Sequence, residues 1–179
     1  MNNFIQFLTY FRIFTAPLIF FLIVSNYFGS ALILVLLASA SDFWDGYLAR
    51  KYELESTFGS VIDPIADKIL ITFLILALSL NMTSAYIGFV GGIILVREFW
   101  VSALRDVNAR ADNESATQVT FLAKTKTFIQ LSSFIILLFG LYFDKSLVVF
   151  IGQFFLCLSL VVTLKSGLEY TVNTFKSLK

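Results

Sequence analysis

Six long apolar runs separated by short polar breaks leave this chain few ways to fold. They lie near Phe11–Tyr27, Ser30–Leu48, Ser60–Leu80, Ser84–Leu104, Phe121–Tyr142 and Leu147–Leu164. A helix needs about 20 apolar residues to cross the hydrocarbon core of a bilayer. Within that core every backbone N–H and C=O must be paired internally, so the runs are predicted to be helices. Composition agrees: 58% of the 179 residues are hydrophobic and 14% are charged, against about 25% charged in soluble domains. The mean hydropathy is +0.85. The expectation is an all-α integral membrane protein, a bundle of six transmembrane helices forming one domain over residues 1–179. Ala38-Ser39-Ala40 mimics a signal-peptidase site, but it follows two apolar runs and is not expected to be one.

The basic residues predict an orientation. With the N-terminus in the cytoplasm, six spans return the C-terminus there. The breaks "SNYFGS", "NMTS" and "FDKS" then face outward and contain one basic residue, Lys145, of the 13 in the chain. The rest fall on the inner side or on helix ends facing it, a strong positive-inside bias. Pro64 is expected early in its helix, where a missing N–H costs little. Gly88 and Gly92 are expected to form a G-x3-G step for close helix approach.

The acidic residues are distributed unevenly. The stretch Ser41–Lys68 holds Asp42, Asp45, Asp63 and Asp67 inside segments otherwise fit for a membrane. Asp42, Asp45, Gly46 and Ala49 have offsets of 0, 3, 4 and 7, which place them on one helix face; Gly59, Asp63 and Asp67, at 0, 4 and 8, share another. A short connection around Lys51–Thr57 predicts that the two helices pack antiparallel with their acidic faces converging. Same-face carboxylates stand about 5–6 Å apart at Cβ, enough to bracket a metal pair at roughly 3.5–4 Å spacing. Divalent cations would offset the desolvation and mutual repulsion of the four acids. All-oxygen ligation points to a hard ion, Mg²⁺ or Mn²⁺. Gly46, Ala49 and Gly59 leave room for a ligand beside the metals, and Arg50 suits a phosphate.

What is missing narrows the chemistry. The chain has no His, which removes Ser-His-Asp triads, paired-His phosphodiesterase chemistry and most transition-metal sites. The single Cys157 rules out an internal disulfide. Proton transfer must therefore fall to Asp, Glu, Lys, Tyr or water.

The pattern D-x2-D-G-x2-A-R-x8-G-x3-D-x3-D, filled here by Asp42, Asp45, Gly46, Ala49, Arg50, Gly59, Asp63 and Asp67, resembles the motif of the CDP-alcohol phosphotransferase family. The resemblance implies that an acceptor alcohol attacks the β-phosphate of a CDP-linked lipid and releases CMP, with two Mg²⁺ or Mn²⁺ ions assisting. It implies that Asp42, Asp45 and Asp63 are metal ligands, and that Asp67 is the general base and a further metal contact. It also implies that Gly46, Ala49, Arg50 and Gly59 hold the CDP-lipid.

Within the family, "FLTYFRIFTAP" at Phe7–Pro17, "DPIADK" at Asp63–Lys68, "REFWVSALR" at Arg97–Arg105 and "AKTKTFIQ" at Ala123–Gln130 look like the phosphatidylglycerophosphate synthases. The usual Gly-Lys before the Lys-Thr pair is Ala123-Lys124 here. That likeness implies CDP-diacylglycerol and sn-glycerol 3-phosphate as substrates, a homodimer, and a bacterial plasma (inner) membrane with the site at its cytoplasmic face. Arg97, Arg105, Lys124 and Lys126 are candidates for the acceptor phosphate, with positive-inside anchoring and snorkelling as the competing reading. Arg12, near the start of the first helix, could reach the pyrophosphate or serve as an anchor. The alternatives are a cardiolipin synthase of the same family, with phosphatidylglycerol as acceptor, and an ion transporter using the Asp cluster.

Overall fold

The computed structural model describes residues 2–51, 57–111 and 121–177, with side chains described for 7–42, 44, 62–111 and 125–177. Six helices follow one another: α1 (Asn2–Val24), α2 (Phe28–Lys51), α3 (Thr57–Asn81), α4 (Ala85–Arg110), α5 (Phe121–Tyr142) and α6 (Ser146–Ser177). Each overlaps one of the six apolar runs. Among the described residues, four are long and apolar enough to cross a membrane: α1 over Phe7–Val24, α4, α5 over Thr125–Tyr142, and α6. The protein is therefore a membrane protein. The two helices outside this set, α2 and α3, carry the acids.

Three turns of one design join the helices at one end of the bundle. Asn26, Thr83 and Asp144 each adopt positive φ (64°, 47° and 51°). One residue later, the N–H of Tyr27, Ser84 and Lys145 reaches back to the carbonyls of Leu22, Ser79 and Gly140, at 2.8, 3.0 and 2.9 Å. These are helix-terminating bonds of the Schellman type, which satisfy carbonyls that the helix itself leaves open. Asn and Asp tolerate the left-handed region because of their short polar side chains. Asn81 ties two of the turns together, its Nδ2 donating to Ile23 O at 3.0 Å and to Asn26 Oδ1 at 2.8 Å.

The substantial helix contacts close a ring in the order α1, α2, α5, α6, α4, α3. This corrects the expected pairing of α2 with α3. Among the described residues these two helices make no substantial direct contact, and α1 lies between them. Consecutive helices in a membrane bundle need only a short connection, which does not force their faces together.

Residue size follows the membrane setting. Phe14, Phe89, Phe128, Leu147 and Phe150 point outward, while Ala16, Ala31, Ala38, Ala66, Ala77, Ser133, Ser159 and Thr163 are buried. Small interior residues let backbones approach where lipid provides no hydrophobic drive between helices. The glycine step differs from expectation. A Cβ on Gly91 would lie 2.3 Å from Ile75 Cγ2 and one on Gly88 2.8 Å from Ser79 Oγ, whereas one on Gly92 meets nothing within 4 Å. The close approach of α4 to α3 thus uses Gly88 and Gly91. Pro64 also differs, since α3 starts at Thr57 and encloses it. Its missing N–H leaves the carbonyl one turn earlier without its helical partner.

Candidate active site

The interior stripe of α1 sets the site. Thr9, Arg12, Ala16, Ile19 and Ile23 recur at spacings of three and four and are all buried, as one face of a helix must be when it packs between two neighbours. The lower members of that stripe are polar because the facing positions on α2 and α3 are acids.

Arg12 is completely buried. Its Nη1 donates to Asp42 Oδ1 on α2 and to Asp67 Oδ1 on α3. Its Nη2 lies 3.5 Å from Asp63 Oδ1 on α3. Thr9 Oγ1 donates to the same Asp63 oxygen at 2.7 Å. Three predicted site residues therefore meet around one guanidinium. The acids converge as the spacing implied, but through α1 rather than by direct packing of α2 on α3. Arg12 is neither a surface anchor nor a snorkelling side chain.

The three carboxylates remain 50%, 38% and 45% exposed, for Asp42, Asp63 and Asp67 in turn. They open toward the end of the bundle away from the three turns. Among the described residues one guanidinium faces three carboxylates, a surplus of negative charge beside a buried cation. An all-oxygen donor set with that surplus fits a hard divalent cation. Among the described residues no three acids close to the spacing of a ligand set; Arg12 stands between them, and the side chain of Asp45 lies outside the described residues. The side chains at Gly46, Ala49, Arg50 and Gly59 also lie outside them, although all four positions are helical.

Beside Asp42, α1 and α2 enclose an apolar groove of about 330 Å³ lined by Phe7, Leu8, Phe11, Leu37, Ser41 and Trp44. Its position brings an apolar surface to within a residue of the acid cluster.

The basic candidates divide. Arg97 and Lys126 are buried and both contact Glu98. Arg105 is exposed, its guanidinium 5.6 Å from the centroid of the Tyr170 ring, a cation–π distance. The side chain of Lys124 lies outside the described residues. Lys68, next to Asp67, donates to Ser102, one turn along α4 from Glu98, and so ties the acid helix to the helix that carries Arg97. Sequence reasoning missed Arg12 as the hub of the acids and Glu98 as the partner of both cations. The three-residue step from Thr9 to Arg12, on the same face as Ala16, was the available signal for the first.

Comparison with known proteins adds the relationship. A family model described as CDP-alcohol phosphatidyltransferase matches residues 3–165. The CDP-diacylglycerol–glycerol-3-phosphate 3-phosphatidyltransferase of Rickettsia bellii is 36% identical over 181 aligned residues, covering 94% of this chain and 93% of the relative. The protein of the same name from Rickettsia typhi is 36% identical, with 95% and 96% covered. That from Shigella flexneri is 31% identical, with 91% and 90% covered.

Proposed function

The chain belongs to the CDP-alcohol phosphatidyltransferase family, and on that premise we propose that it transfers the phosphatidyl group of CDP-diacylglycerol to sn-glycerol 3-phosphate, giving phosphatidylglycerophosphate and CMP. The convergence of Asp42, Asp63 and Asp67 on one buried arginine carries the catalytic reading. The two substrates follow the names of the relatives.

The family is divalent-metal dependent. Asp42, Asp45, Asp63 and Asp67 would hold two ions, Mg²⁺ or Mn²⁺. When bound, such ions stabilise charge on the pyrophosphate and on departing CMP. Asp67 acts as general base, taking the proton from the acceptor hydroxyl. The freed oxygen forms a bond to the β-phosphorus as the bond to the CMP oxygen breaks. Arg12 keeps the carboxylates of α2 and α3 around a common centre. Gly46, Ala49 and Gly59 make room for the CDP group, and Arg50 pairs with its phosphates. The apolar groove beside Asp42 suits an acyl chain of the lipid, which then lies next to its own headgroup. Arg97, Arg105, Lys124 and Lys126 serve the acceptor phosphate.

The same reading makes all six helices spans of a single domain over residues 1–179. It places both termini and the site at the cytoplasmic face of a bacterial inner membrane, and the protein as a homodimer. The bias of basic residues toward one side supports the orientation.

The test is CMP release from CDP-diacylglycerol by detergent-purified protein with Mg²⁺, offered glycerol 3-phosphate, phosphatidylglycerol or serine. Release with glycerol 3-phosphate alone, abolished by EDTA, is expected. Release with another acceptor reassigns the acceptor pocket. No release from folded protein with any of them removes the reading.

A further inference from the structure

A second buried cluster of charge lies across the ring, where α4, α5 and α6 meet. Arg97 on α4 is 6% exposed and Lys126 on α5 is 8% exposed. Arg97 Nη1 lies 3.1 Å from Glu98 Oε1, and Lys126 Nζ contacts the same oxygen. Arg97 Nη2 donates to Ser166 on α6. Gly167 allows α6 to close on the arginine stem, because a Cβ there would meet Arg97 Cγ and Nε at 3.1 Å.

The cluster is unbalanced. Among the described residues two cations face one carboxylate, an excess of one positive charge. A buried charge without a counter-ion is costly. Unused hydrogen-bonding groups surround it as well. Among the described residues, Arg97 Nε, Gln130 Nε2 and Thr163 Oγ1 are buried without a hydrogen-bond partner. Gln130 stands one turn from Lys126 on α5. On α6, Gly152 packs on Leu137 of α5, and Val149 on Gly140; the same antiparallel register, continued, brings Thr163 opposite Lys126. Buried polar groups are nearly always paired. Arg97 thus has a donor to spare within the cluster, and Gln130 and Thr163 carry two more unpaired groups on the helices that enclose it.

We propose that Glu98 is a stand-in counter-anion, which holds Arg97 and Lys126 until the phosphate of the acceptor displaces it, and which thereby selects phosphomonoesters over phosphodiesters. The acceptor's identity here rests on the function proposed above. With Glu98 turned aside, two cations meet the charge of a phosphomonoester, about −1.5 to −2 at neutral pH. A phosphodiester carries one charge, no more than the carboxylate it would have to replace, and has no advantage over Glu98. Arg97 Nε and Gln130 Nε2 are the donors left for the incoming oxygens. Glu98 touches neither the reacting phosphate nor the metals, so its role is positioning and selection.

The test compares wild type, Glu98→Gln and Glu98→Asp. Gln keeps an oxygen to accept from both cations and loses the competing charge. Binding of inorganic phosphate to the detergent-purified protein is measured by calorimetry, independently of turnover. KM for glycerol 3-phosphate and kcat are measured beside it. In Glu98→Gln, phosphate binding is expected to tighten and KM to fall by about tenfold, since a like charge beside the bound anion has been removed. Its kcat stays within about twofold, dimethyl phosphate becomes a competitor, and Glu98→Asp behaves as wild type. Unchanged or weaker phosphate binding in folded Glu98→Gln overturns the proposal and leaves Glu98 a structural tie.

Gln130→Leu provides a second arm that leaves the charges intact. It is expected to weaken phosphate binding about threefold without loss of thermal stability, because a buried amide nitrogen without a partner has been removed. Unaltered binding in this variant counts against an anion at the cluster. Competition by phosphatidate in the micelles, in place of glycerol 3-phosphate, would overturn a soluble phosphomonoester as the ligand. If glycerol 3-phosphate is no acceptor while Glu98→Gln still binds phosphate more tightly, the proposed function falls and the counter-anion role stands.

Discussion

Asp42 and Asp67, on helices that make no substantial contact among the described residues, accept hydrogen bonds from the same nitrogen, Nη1 of Arg12. The acid site is thus organised by a third helix, and its geometry depends on a residue outside the acidic motif.

Replacing that residue tests the dependence. Arg12→Met removes the cation that Asp42, Asp63 and Asp67 share. Breaking a buried ion pair costs about 3–5 kcal/mol; because these acids are half exposed, we expect about 2 kcal/mol here, after allowance for solvent screening. Mg²⁺ should stabilise the variant more than the wild type by restoring positive charge. Thermal unfolding in detergent, with EDTA and with Mg²⁺, measures both effects. An equal Mg²⁺ shift in the two proteins would contradict the picture.

The base assignment predicts a separation of binding from turnover. Asp67→Asn retains an oxygen to accept from Arg12 and loses the ability to take a proton. CMP release should fall by about 10²–10⁴-fold, the usual contribution of general base catalysis, while CDP-diacylglycerol still binds. Turnover near the wild-type rate would move the base elsewhere.

Two neighbouring glycines should behave oppositely. Gly91→Ala drives a methyl into Ile75 and should destabilise the fold by about 1–3 kcal/mol, as overpacking does. Gly92→Ala meets open space and should be neutral or gain up to about 1 kcal/mol through helix propensity. Thermal unfolding of both variants decides whether Gly91, and not Gly92, lies at the α3–α4 contact.

Thr83 is a β-branched residue held at φ 47°, a region that costs most L-residues about 1–2 kcal/mol. Thr83→Asn should relieve part of this and stabilise the protein by about 0.5–1 kcal/mol. The same substitution leaves the acid site untouched, so an altered KM would argue against the local account.

Much of this was legible in the residues. Apolar run length is a strong signal in a membrane setting, and six runs became six helices, although α1 begins nine residues before its run and α6 ends 13 residues after it. The helical spacing of Asp42, Asp63 and Asp67 likewise foretold that they would share a centre. The ring order was not legible, because neighbouring spans need not share a face and hydropathy says nothing about which helix separates which. Arg12 was obscured for a related reason: a single arginine near a helix start has the same local pattern whether it anchors at the interface or is buried. Only the identity of the facing positions distinguishes the two. Glu98 was passed over because one acid beside one arginine reads as a local pair, and Lys126 arrives from another helix.

The bridge made by Arg12 also bears on how the protein is made. Arg12 precedes Asp42 by 30 residues and Asp67 by 55, so α1 carries its cation before either partner has been synthesised. A lone arginine within a membrane span is costly to insert unless its side chain reaches the water boundary. Until α3 is synthesised, α1 must therefore wait in the translocon or keep its arginine at the water boundary. Docking of the first three helices and assembly of the acid centre then become one event, and a chain stalled before Asp67 would hold a helix with no settled place in the bilayer.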